Sequence, residues 1–143
     1  MQVKDVMTPR VQVVHPDSTI EEAACKMKEH DVGSLPVCDG ERLVGMITDR
    51  DITVRATAEA FVPGFTKVRQ VMTEDVQYCF DDDDLRAGAE IMEKAQIRRL
   101  PVIDREKRLV GIVALADLAA RSEEDEISSD VLEEVSQPAG ARS

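Results

Sequence analysis

The chain has 143 residues, 43% of them hydrophobic and 33% charged, with a formal net charge of −11. Such a composition is ordinary for a soluble globular protein and suits one compact domain or two small halves sharing a core. The acidity argues against nucleic acid as a partner, since phosphate binding needs a basic face, and no apolar run approaches the ~20 residues of a membrane span.

Charge and side-chain volume are unevenly spread. Seven acids fall in residues 122–143 against Arg142, which leaves about −5 on the first 121 residues. Aromatic residues make up 3% and Trp is absent, so the core must be built from Val, Ile, Leu, Met and Ala. The opening MQVKDVMTPR has no apolar signal core, and a cytoplasmic, non-membrane protein is expected.

In chain order, Val11–Val14 reads as a short strand and is followed by a helix start. Asp17 or Ser18 can cap that helix, with Glu21 and Glu22 placed to complete a capping box. Ile20, Ala23, Ala24 and Met27 make its apolar face. Two strands follow, Leu35–Cys38 and Leu43–Thr48, joined by a turn at Asp39-Gly40, and a helix closes the unit from Asp49 to about Thr57. A connector with Pro63-Gly64 occupies residues 58–67. The pattern then recurs: a strand in Val76–Phe80, a helix with Leu85, Ala89, Met92 and Ala95 on one face, two strands, and a helix over Leu115–Arg121. Ile127, Val131, Leu132 and Val135 fit one stripe of a short acidic helix, ahead of a frayed end.

The recurrence is literal. Val-Arg-Gln-Val-Met-Thr at Val68–Thr73 repeats Val-Lys-Asp-Val-Met-Thr at Val3–Thr8, and Leu100-Pro101-Val102 repeats Leu35-Pro36-Val37, both at a shift of 65. Leu109-Val110-Gly111-Ile112 repeats Leu43-Val44-Gly45-Met46 at 66, so one residue is inserted in the turn around Arg105–Lys107, where insertions cost least. The division is therefore repeat 1 at 1–57, connector at 58–67, repeat 2 at 68–121 and an acidic tail at 122–143. The fold class is α/β (α+β), two β-α-β-β-α repeats. Neither half could bury much core alone, so the two are expected to pack about a pseudo-twofold axis.

Val-Met-Thr before a strand, Leu-Pro-Val before an acidic turn, and Leu-Val-Gly-Met-Ile-Thr-Asp-Arg-Asp at a strand–helix junction together resemble the CBS domain. Two in tandem resemble the Bateman module, in its small stand-alone bacterial form, over about residues 3–121. The resemblance implies clefts between paired repeats that bind adenosine-containing ligands, and a module that pairs into a homodimer. Its ribose motif, Gly-x-x-Ser/Thr-x-x-Asp, is present as Gly45, Thr48 and Asp51. A carboxylate there can accept both ribose hydroxyls, beside a helix start whose free N–H groups suit an anion. The same Thr-x-x-Asp spacing is also close to a capping box, which explains both residues without a ligand. The second copy, Gly111, Ala114 and Asp117, has lost the hydroxyl and kept the acid, which favours a role for the carboxylate. Arg98 and Arg99 stand where nucleotide-binding members often carry His or Arg against phosphate, whereas the first copy has Gly33 and Ser34; the alternative is a solvated pair that balances the acidic surface.

Thr48 and Asp51 with Arg98 and Arg99 compose one expected nucleotide site. The other cleft would have Asp117, with Arg50 as its obvious cation, and is expected to be poor or empty. The function expected is a sensor for AMP, ATP, NADH or S-adenosylmethionine, which acts on an unidentified protein effector; the alternative is a ligand-free dimerisation or protein-interaction module. No nucleophile–base set, metal motif or Gly-rich phosphate loop is visible, so no enzyme, no catalytic residue, no required cofactor and no metal site are expected. Asp81–Asp84 reads as helix cap and dipole partner. His15 and His30 lack partners at metal spacing. Cys25, Cys38 and Cys79 read as reduced, buried thiols, with a disulfide or redox role as the alternative.

Overall fold

The computed structural model describes residues 1–125; the stripe expected at Ile127, Val131, Leu132 and Val135 lies outside the described residues. The chain forms two compact units. One is Gln12–Val76, and the other joins Met1–Val11 to the chain from Gln77 onward.

In the unit Gln12–Val76, helix α1 (Ile20–His30) starts at Thr19, whose Oγ1 accepts the Glu22 N–H at 3.1 Å. The cap is thus neither Asp17 nor Ser18. Asp17 instead accepts from Arg69 Nε at 2.8 Å and lies 3.7 Å from Lys67 Nζ, and the Arg69 hydrogen bond lowers its pKa. Ile20, Ala23 and Met27 are buried. Ala24, expected with them, is exposed together with Cys25, because at 100° per residue the buried stripe is too narrow to include them.

Strands β1 (Ser34–Asp39) and β2 (Arg42–Thr48) pair antiparallel around a Gly40-Glu41 loop, in which Gly40 takes φ +65°. Of the strand expected at Val11–Val14, a single parallel bridge from Val14 to Val37 forms. A helical turn, α2 (Asp49–Asp51), runs into a π-helical stretch, Ile52–Ala56, and a 3-10 turn, Thr57–Glu59.

In the other unit, β3 (Cys79–Phe80) pairs parallel with β4 (Arg99–Ile103), which pairs antiparallel with β5 (Leu109–Ala114). Helix α3 (Leu85–Ala95) starts at Asp84, whose carboxylate accepts the Ala87 N–H at 2.9 Å. Within the same acidic run, Asp83 accepts the Phe80 N–H, and Asp82 takes a two-pronged hydrogen bond from Arg105 at 2.7 and 3.1 Å. Helix α4 (Leu115–Asp125) follows β5. The extra residue of the second repeat lies in the β4–β5 loop, which the Asp104 carboxylate braces by accepting from the N–H groups of Glu106 and Arg108.

Each unit borrows the opening segment of the other repeat. Val3 is fully buried among Leu85, Leu100, Val102 and Val113. Val68 and Val71 are fully buried among Ile20, Leu35, Val37 and Ile47. Thr8 exchanges two backbone hydrogen bonds with Ile112, at 2.8 and 2.9 Å, and Thr73 exchanges two with Met46, both at 2.9 Å. The Val-x-x-Val-Met-Thr segment is therefore an added edge for a hairpin rather than the start of its own repeat's unit. Its buried valines contribute roughly 1.5–3 kcal/mol each, the usual worth of a fully buried aliphatic side chain.

Candidate functional site

The motif residues cluster at one end of each hairpin. Thr48 ends β2 and is the N-cap of α2, and Asp51 is its third residue. The Asp51 N–H donates to Thr48 Oγ1 and the Thr48 N–H donates to Asp51 Oδ2, both at 3.0 Å. The capping box is therefore made. It satisfies two donors at the helix start and ties down Oδ2 of the carboxylate. Asp51 Oδ1 lies 3.7 Å from Arg55 Nε, and the Asp51 side chain is 12% exposed. An ionised carboxylate has about four acceptor positions, so those not used by the Thr48 amide are available to hydroxyl donors.

The glycine of the motif has its own cause. A β-carbon on Gly45 would lie 2.8 Å from the Thr73 carbonyl oxygen and 2.9 Å from Met72 Sδ. On Gly111 it would lie 2.8 Å from the Thr8 oxygen and 2.7 Å from Met7 Sδ. The borrowed segment crosses the hairpin too closely for any side chain there.

In the second repeat, Asp117 Oδ2 accepts the Ala114 N–H at 3.2 Å. Half of the capping box thus survives without the hydroxyl. The retained acid thus has a cap role as well, since one backbone donor at the helix start takes the carboxylate whether or not a hydroxyl stands opposite.

Arg98 and Arg99 are both exposed. Arg99 opens β4 and pairs with Ala114, while the Arg98 carbonyl accepts the Leu115 N–H at 2.8 Å. Arg98, Arg99, Ala114 and Asp117 are thus brought to one end of the β4–β5 hairpin. Gly33, Ser34, Thr48 and Asp51 hold the matching places in the other unit, where the Asp49 N–H donates to the Gly33 carbonyl at 2.9 Å as the Leu115 N–H does to that of Arg98. Arg50 is exposed on α2. Thr48 and Asp51 belong to the unit Gln12–Val76, and Arg98 and Arg99 to the other unit.

The residue that sequence reasoning missed is Arg55. Its Nη1 donates to the carbonyls of Met72 and Val71 at 3.2 and 3.4 Å while its Nε faces Asp51. The repeat carries a signal for it, because the shift of 66 that takes Asp51 to Asp117 also takes Arg55 to Arg121.

Comparison with known proteins matches the CBS-domain family model at residues 3–56 and 68–124. The chain belongs to the CBS-domain family. This CBS pair is 43% identical over 134 residues to the CBS domain-containing protein YhcV of Bacillus subtilis, with 94% of each chain covered. It is 39% identical over 117 residues to hypoxic response protein 1 of Mycobacterium tuberculosis, with 81% of each covered. Among solved structures it resembles Hypoxic Response Protein I with two coordinated zinc ions, at TM-score 0.76 and 37% identity over 84% of this chain and 98% of that one. CBSX2 in complex with AMP matches at TM-score 0.74 and 27% identity, over 87% and 98% of the two chains. The CBS pair of MJ0100 with 5′-methylthioadenosine and S-adenosyl-L-methionine matches at 0.72 and 30%, over 87% and 98%. The resemblance read from the repeats therefore holds, as does the α+β class.

Among the described residues of this CBS pair, no three His, Cys, Asp or Glu side chains converge as a metal site. His15 lies 3.5 Å from Asp39 and 3.9 Å from Asp17. No helix among the described residues is long and apolar enough to cross a membrane. Cys38 and Cys79 are buried, and Cys25, expected to be buried too, is exposed on α1. Burial pushes the Cys38 thiol up to about 11; burial, then the charges of Asp83 and Asp81, push Cys79 up to about 12.

Proposed function

We propose that this regulatory CBS pair is a sensor that binds an adenosine-type ligand, drawn from AMP, ATP, NADH and S-adenosylmethionine, and signals to a protein effector without catalysing a reaction. Asp51 takes the ribose hydroxyls, Thr48 orients it, Arg98 and Arg99 take phosphate, and Asp117 belongs to a second, weaker site. The observation that carries this reading is the Asp51 carboxylate, held by one backbone donor with acceptor positions to spare. The AMP, methylthioadenosine and S-adenosylmethionine named with its structural relatives support the ligand class.

Calorimetric titration of the wild-type chain with AMP, ATP, adenosine, NADH and S-adenosylmethionine tests the proposal. Asp51→Ala should weaken binding by roughly 1.5–3 kcal/mol, the worth of hydrogen bonds to a charged group. Replacing Arg98 and Arg99 together by Ala should cost a similar amount for AMP and little for adenosine. No binding of any of the five at millimolar concentration would sink the sensor reading.

A second reading, a ligand-free interaction module that dimerises, is favoured by one observation. Phe65 is 89% exposed, in a run with exposed Phe61 and Val62. Monomeric mass in light scattering, with no nucleotide effect on it, would count against the homodimer in either reading.

A further inference from the structure

Arg55 is half-exposed, yet its guanidinium is held at three points. Nη1 donates to the Val71 and Met72 carbonyls, and Nε stands 3.7 Å from Asp51 Oδ1, one helical turn earlier. A long side chain on a surface usually gains little from a single ion pair, because ordering it costs entropy. Here the two carbonyls, at the end of the turn that supplies Val68 and Val71 to the core, already order it. The charge is thus fixed beside Asp51 Oδ1, while Oδ2 is engaged by the Thr48 amide. Both oxygens of the carboxylate are oriented, each by a group from a different part of the unit. The second repeat carries the same Asp-x-x-x-Arg spacing at Asp117 and Arg121, but no ion pair joins those two among the described residues.

We propose that Arg55 is the positioning residue of the Asp51 carboxylate, aiming it at a vicinal diol without touching the ligand itself. This rests on the ribose role proposed for Asp51. A carboxylate freed from Arg55 is held by the Thr48 hydrogen bond alone, which then opens more often and lets the group rotate, so its free acceptor positions no longer match two adjacent hydroxyls.

The test compares adenosine, AMP and 2′,3′-dideoxyadenosine on the wild-type chain, Arg55→Gln and Arg55→Lys, by calorimetry. Hydrogen exchange at the Thr48 amide is followed in the same proteins without ligand. Arg55→Gln should weaken adenosine about two- to fivefold, the scale of an oriented i,i+4 ion pair, and leave dideoxyadenosine unchanged. Arg55→Lys, which keeps the charge, should fall between. The Thr48 amide should exchange faster in Arg55→Gln. An equal loss for both nucleosides, or no loss, overturns the positioning role. A loss confined to AMP, with adenosine unchanged, overturns it as well, since Arg55 would then meet the phosphate directly. If the wild type binds neither nucleoside, the ribose reading of Asp51 fails; unchanged Thr48 exchange in Arg55→Gln would then overturn the positioning separately.

Discussion

The N–H of Val3 donates to the carbonyl of Asp83 at 2.8 Å, tying the start of the first repeat to the helix start of the second. The mirror-image tie joins the Val68 N–H to the carbonyl of Ser18, also at 2.8 Å. A sequence repeat therefore does not coincide with a compact unit in this chain.

From this it follows where the chain can be cut. Residues 1–60 lack Val68, Val71 and Met72, three members of the first unit's core, and should show no cooperative thermal transition. Residues 12–76 keep all of them as one continuous stretch and should melt cooperatively by circular dichroism. A cooperative melt of 1–60, or none for 12–76, would contradict the exchange of opening segments.

The two motif glycines make a second test. Gly45→Ala and Gly111→Ala drive a methyl against carbonyl oxygens that are held in paired hydrogen bonds. Each should cost about 1–3 kcal/mol, the range for overpacking. Gly40→Ala has open space and should lose only about 1–2 kcal/mol, from its positive φ. Gly64→Ala, with the end of the Glu21 side chain 3.4 Å away, should be nearly neutral. Urea denaturation of the four variants would rank them, and a neutral Gly45→Ala would refute the close crossing.

Asp117 offers a third. Its carboxylate satisfies the Ala114 N–H, so Asp117→Asn, which keeps an acceptor, should be better tolerated than Asp117→Ala. The alanine variant should lose about 0.5–2 kcal/mol of stability, as other caps do. Equal stability of both variants with the wild type would show that the acid is not retained for the cap.

The cysteines supply the pH dependence. Cys38 and Cys79 have folded-state pKa values raised from 9.0 to about 11 and about 12. Their contribution is fully present below pH 9. It is lost as pH rises toward 11–12, because the unfolded chain releases those protons first. Stability should fall from pH 9 to 11, and less steeply in Cys79→Ala. At pH 8, Cys25 should react with a thiol reagent before either of the others. Equal reaction of all three in the native protein would contradict the burial.

How much of this was legible in the chain differs from one residue to the next. The two copies of Val-x-x-Val-Met-Thr, the Leu-Pro-Val strands and the Gly-x-x-Thr-x-x-Asp junction identified the family and the element order, because period, turn residues and repetition are local properties. Even the Asp84 cap follows from such local chemistry.

Tertiary structure alone decided the rest. It showed that Val3 and Val68 cross into the unit of the other repeat, since register between distant segments is set by which apolar faces meet and not by neighbours along the chain. It placed the first cap at Thr19 rather than Asp17 or Ser18, with Arg69, distant in sequence, taking the Asp17 carboxylate. It placed Arg55 on Asp51 through carbonyls that no helical spacing reveals. Local propensity names the parts, and long-range packing selects which of several locally allowed partners each side chain takes.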